Sequence, residues 1–222
     1  MKKNIVIVIA IAVTCMFVVT PSFIWAEDSL VDRVSTSITL KNDWHFVNGG
    51  KSFDTQEFFS YSHFHDWGGG VVVSESRTAD SIQVKPYATW NDGPWYLVGG
   101  ASFGDCGQFF QAGGWYINSF GKLNVIVDMR NYFGLDAKSL NYLDSFWEVS
   151  YPLGDKFFVG VDAVYDYWWS NSNQWAMIGP FVGYNINKTI SVFVRWTHEW
   201  DLPSGAKTTE ANVIRLGLTF NF

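Results

Sequence analysis

The sequence predicts an all-β fold, a closed antiparallel transmembrane barrel of about twelve strands. Three observations carry that expectation. After an apolar stretch at the amino terminus, no segment approaches the ~18 consecutive apolar residues of a membrane helix. Aromatic residues make up 18% of the chain, with 12 Trp, 10 Tyr and 19 Phe, a load that suits the aromatic girdles of barrel interfaces. The last segment, Val213-Ile-Arg-Leu-Gly-Leu-Thr-Phe-Asn-Phe222, alternates strictly. Ile214, Leu216, Leu218, Phe220 and Phe222 share one parity, and Arg215, Gly217, Thr219 and Asn221 the other. Period two with unlike faces marks a strand.

The amino terminus comes first in the chain. Lys2 and Lys3 precede an apolar run from Ile5 to Val19, then Pro21 and a stretch ending Trp25-Ala26. That order predicts a signal peptide over 1–26 and a mature domain over 27–222. The segment carries two lysines and no acid, so the mature chain is more acidic than the formal −6 of the whole. Beyond Cys15, inside the apolar run, the only cysteine is Cys106, which excludes an intrachain disulfide in the mature protein. No proline-, serine- or charge-rich linker divides it.

Turn clusters then divide the chain into strands. Asp66-Trp-Gly-Gly69, Asn91-Asp-Gly-Pro94, Asn118-Ser-Phe-Gly121, Leu153-Gly-Asp155 and Ile186-Asn-Lys188 predict the short turns of one rim. The longer or more polar connections 43–54, 77–80, 104–107, 133–141, 168–174 and 201–210 fall at the other rim. Between them lie strands at 33–42, 55–65, 70–76, 81–90, 95–103 and 108–117. The second half supplies 122–132, 142–152, 156–167, 174–185, 189–200 and 211–222. Most match the ~9–11 residues that cross a bilayer at a tilt. The third strand is short and 77–80 is small, which leaves ten strands as the alternative.

The aromatic carboxy terminus after alternating apolar positions resembles that of bacterial outer-membrane barrels. The resemblance implies that Phe220 and Phe222 face lipid at the periplasmic rim, in the outer membrane of a Gram-negative bacterium. It implies lipid and lipopolysaccharide as surroundings, and the barrel-assembly machinery as the partner of the strand ending at Phe222.

Apolar parity assigns the remaining side chains. Leu123, Val125, Val127 and Met129 face lipid, which sends Asn124, Asp128 and Arg130 inward. Trp147 and Val149 oppose Asp144 and Glu148, and Val161 and Tyr165 oppose Asp162 and Asp166. Val194 and Trp196 oppose Arg195 and Glu199. Lys41, Lys85 and Arg215 also fall inward. Strands 95–103 and 174–185 have small or apolar residues on both parities and cannot be oriented this way. A charge facing lipid costs ~2–4 kcal/mol at mid-membrane, so any barrel sorts its charges so. More telling is the acidic sector of Asp128, Asp144, Glu148, Asp162 and Asp166 on consecutive strands. Large inward candidates are Tyr61, Tyr87, Trp115, Tyr132, Phe158 and Phe193. A twelve-stranded barrel leaves a narrow passage that such rings can shape or plug.

The stretch Thr55-Gln-Glu-Phe-Phe-Ser-Tyr-Ser-His-Phe-His-Asp-Trp-Gly-Gly-Gly-Val-Val-Val73 resembles a segment of nucleoside-specific outer-membrane channels. There a glutamate-and-aromatic strand turns through Trp-x-Gly into an apolar strand. The resemblance implies a channel for small polar, ring-bearing solutes. Asp162 and Asp166 do not map onto that family, and the acid-rich chain also departs from anionic-sugar porins with basic lumens. The alternative is a structural barrel plugged by its own salt bridges. A lipid-modifying enzyme ranks lower. Barrel phospholipases and deacylases carry His-x-Ser on one strand, and this chain, with His45, His63, His65 and His198, has none. His63 and His65 are spaced as a ligand pair, but no third ligand is identifiable. No cofactor, metal or nucleic-acid partner is therefore expected.

Overall fold

The computed structural model describes residues 34–50, 52–76, 80–136, 139–205 and 208–222. The signal peptide expected over 1–26 lies outside the described residues. Twelve strands follow in chain order, settling twelve against ten: β1 (Val34–Val47), β2 (Phe53–Phe64), β3 (Trp67–Ser76), β4 (Ser81–Asp92), β5 (Trp95–Gly104) and β6 (Phe109–Phe120). The rest are β7 (Leu123–Gly134), β8 (Tyr142–Leu153), β9 (Phe157–Trp168), β10 (Gln174–Asn185), β11 (Ile190–Leu202) and β12 (Thr209–Asn221). Each pairs antiparallel with its sequence neighbours, and β1 pairs with β12 to close the barrel.

Closure satisfies the backbone, since every strand has two hydrogen-bonded neighbours and no edge meets lipid. The seam runs from Ser37 opposite Asn221 to Val47 opposite Ala211. Beyond that register, the Thr36 amide donates to the Phe222 carbonyl at 3.1 Å and the Phe222 amide to the Thr36 carbonyl at 2.8 Å. The alternation of the last segment thus belongs to the strand that completes the sheet.

Several boundaries differ from the sequence reading: β6 runs on to Phe120 through the turn expected at 118–121, β11 and β12 shorten the connection expected at 201–210, and two further shifts bear on the lumen and the turns. The connection expected over 43–54 shrinks, because β1 continues to Val47 and β2 begins at Phe53. The alternation does continue there, with Trp44 and Phe46 outward and exposed and Asp43 and His45 buried inside. The Asp66–Gly69 turn is likewise mostly strand. His65 takes the left-handed conformation (φ 54°) and, with Asp66, makes the turn alone, so β3 starts at Trp67 instead of residue 70.

The two strands that parity could not orient are settled by their neighbours. On β5, Trp95, Leu97 and Phe103 are exposed outward and Val98 is buried inside. On β10, Ile178 and Val182 face out while Met177 and Phe181 face in. Two belts of exposed aromatics ring the exterior. Phe64, Trp67, Trp90, Trp95, Phe120 and Phe222 lie toward the short turns, and Trp44, Phe46, Phe103, Phe110 and Phe133 toward the longer loops. Apolar side chains such as Val149, Val161, Val194 and Leu216 fill the band between. This is the exterior of a barrel solvated by lipid.

Candidate functional site

A cavity of about 700 Å³ runs inside the barrel. It extends from Ser37, Ile117 and Ile126 near the short-turn rim to Asp166 and Trp175 near the long-loop rim. Strands β7 to β9 supply Asp128, Arg130, Asp144, Glu148, Asp162 and Asp166 to its wall. Arg195 and Arg215 come from β11 and β12, Lys85 from β4, and Tyr61 from β2. Two predicted wall residues do not reach the cavity. Tyr87 is packed behind it against Val72, Val98 and Trp115, and its hydroxyl donates to the Ser60 carbonyl at 3.0 Å. Glu199 is held aside, its carboxylate 3.1 Å from His45 Nδ1.

The interior charges are largely paired. Arg130 grips Asp128 on its own strand through Nε at 2.9 Å and Nη2 at 2.5 Å, and donates Nη1 to Gln111 at 3.1 Å. Arg195 bonds Asp162, and both are almost fully buried. Arg215 makes a two-pronged bond to Asp43, and Lys41 bonds Glu57. The acidic sector of the sequence reading is therefore partly neutralised, because Asp128 and Asp162 have their own arginines. What remains is a smaller acidic set. Lys85, Asp144, Glu148 and Asp166 form no ion pair within 4.0 Å among the described residues. Glu148 is the Cα partner of Asp162, and Asp144 of Asp166, so the three acids share the β8–β9 wall. One lysine faces them.

Asp43 and Glu57 were missed from sequence. Asp43 sat inside an expected loop, although its parity with Lys41 was a usable signal. Glu57 was read only within a motif. The register of β1 on β2 places it directly opposite Lys41.

The aromatic side chains have two fates. On the β2–β6 side, Phe59, Tyr61, Tyr96 and Trp115 pack with Tyr87 into a cluster that thickens the wall. On the opposite side, rings lie flat over glycines of the next strand. Phe158 is the Cα partner of Gly183, and a Cβ there would come within 1.9 Å of its ring. Phe193 covers Gly217 in the same way, with a corresponding gap of 2.1 Å. Glycine at these positions lets a large ring lie against the wall instead of across the lumen.

The histidine pair is not assembled. His63 Nε2 lies 3.0 Å from Asn91 Oδ1, whereas His65 sits in the turn. His198 faces outward beside Asn212, away from the lumen.

No protein-family model matches the sequence, and no curated protein matches it either. Solved structures do match in shape. The KdgM porin in complex with disordered oligogalacturonate superposes with a TM-score of 0.60 at 14% identity, covering 84% of this chain and 99% of that one. The NanC porin gives 0.60 at 13% identity, covering 82% and 98%. The translocator domain of the autotransporter NalP from Neisseria meningitidis gives 0.53 at 14% identity, covering 87% and 92%. The chain has the fold of an outer-membrane β-barrel. Its apolar band between two aromatic belts is the exterior of a membrane-spanning barrel.

Proposed function

We propose that this barrel is a narrow outer-membrane channel admitting small polar solutes, with a preference for cations and for ring-bearing molecules. One observation carries the reading. A polar cavity runs along the barrel axis, and Phe158 and Phe193 lie flat on glycines instead of crossing it. A structural barrel plugged by its own side chains has no need of that arrangement. The likeness to KdgM and NanC, both porins, supports it.

The solute class follows from the charges left over after pairing. Asp144, Glu148 and Asp166 outnumber Lys85, so the wall carries net negative potential and concentrates cations. The oligogalacturonate bound by KdgM is a polyanion, which this lumen disfavours. Ring preference rests on the aromatic surfaces of Phe59, Tyr61 and Trp115 along the opposite wall. The strand ending at Phe222 is presented to the barrel-assembly machinery, with lipopolysaccharide around the loop-bearing rim.

Liposomes carrying the refolded barrel test the reading. They should swell promptly in isotonic glycine or arabinose and slowly in a trisaccharide. Failure to swell in any solute would remove the channel.

A further inference from the structure

The structure assigns an ammonium-binding subsite to the loop-side mouth of the lumen, occupied at rest by the protein's own Lys85. The inference rests on the channel reading and names the solute class: a primary ammonium carried on a ring. At the last rungs of β7, β8 and β9, three rings form a ladder. Tyr132 stacks on Tyr142 with centroids 4.5 Å apart and planes 2° from parallel, and Tyr142 stacks on Trp168 at 5.6 Å. One inward position deeper on β8 and β9 lie Asp144 and Asp166, Cα partners of each other. Aromatic faces above carboxylates form the environment that binds organic ammonium ions.

Two observations show that this corner is tuned to a cation. Lys85 reaches in from β4 and holds its ammonium 5.3 Å from the centroid of the Tyr132 ring, within electrostatic reach of Asp144. It forms no ion pair within 4.0 Å among the described residues. It therefore occupies a cation–π position without being locked to a carboxylate. Tyr132 is among the residues lining the cavity but only 1% exposed, and its buried hydroxyl has no hydrogen-bond partner among the described residues. A buried phenol left unsatisfied is costly, and a solute amine or hydroxyl can satisfy it. A ring-bearing ammonium entering from outside stacks on Trp168, the end of the ladder, then displaces Lys85 toward the lumen. Lys85 is thus a tethered competitor.

Isothermal titration of glucosamine into the detergent-folded barrel tests this, with glucose and methylammonium as controls and circular dichroism verifying the fold. Glucosamine should bind and both controls should bind far more weakly. Lys85→Met should tighten glucosamine binding by roughly two- to fivefold by vacating the site. The double variant Asp144→Asn/Asp166→Asn should weaken it roughly tenfold. Glucose binding as well as glucosamine, or Lys85→Met leaving affinity unchanged or lower, overturns the subsite. Because binding is read without flux, a barrel that binds glucosamine but passes no current rejects the channel alone. A conducting barrel without glucosamine binding rejects the subsite alone.

Discussion

Asp162 and Glu148 are Cα partners on neighbouring strands, yet neutralising them should have opposite consequences. Asp162 is bonded to Arg195 where both are nearly inaccessible. Asp162→Asn leaves a buried guanidinium without its counter-charge, a loss of about 3 kcal/mol. Urea unfolding of the refolded barrel should show it, and Arg195→Gln added to the same chain should recover part of it. A double variant whose loss equals the sum of the single losses would contradict the pairing. Glu148 lines the cavity and has no such partner, so Glu148→Gln should leave the unfolding midpoint unchanged and alter only ion flow. Parity alone cannot make this distinction. It places both carboxylates inside, and only the register of strands far apart in sequence shows which one has an arginine.

At the scale of the strand, the alternation of β7, β8, β9 and β12 was legible residue by residue, because bulky apolar and charged side chains strictly exchange there. β5 and β10 were not legible. Gly99, Gly100 and Ala101 in one, and Ala176, Gly179 and Gly183 in the other, carry too little side chain to mark a face. Those glycines matter for the opposite reason, the space they leave. Glycine on β12 leaves space in the same way: Gly217→Ala would put a Cβ 2.1 Å from the Phe193 ring, far inside van der Waals contact, so the ring must lift into the lumen. Single-channel conductance should fall while stability drops by about 1–3 kcal/mol, the usual cost of overpacking. Unchanged conductance would mean that Phe193 is clear of the ion path. Sidedness is checked by thiol labelling after Cys106→Ser. Glu148→Cys should react with a water-soluble reagent and Val149→Cys should not. Equal labelling would refute the register of β8.

For the molecule as a whole, the closed barrel could be read from turn clusters at regular spacing, with ten strands left as the alternative to twelve. The wiring of the lumen could not. Among the described residues, four lysine or arginine ion pairs line the lumen, one of them joining residues as distant as Asp43 and Arg215 across the seam that brings β1 to β12. Only closure creates that contact. Pairing consumes Asp128 and Asp162 and leaves Asp144, Glu148 and Asp166 of the acidic sector to set the field, with Lys85 opposing them. The resulting selectivity is modest and should weaken as salt screens it. The direct measurement is the reversal potential across a planar bilayer in a KCl gradient. Wild type should show the sign of cation preference, and Glu148→Gln/Asp166→Asn should move the potential toward zero without loss of conductance. An anion-selective wild type, an unmoved potential in the double variant, or no conductance from a folded barrel would contradict an acidic, open lumen.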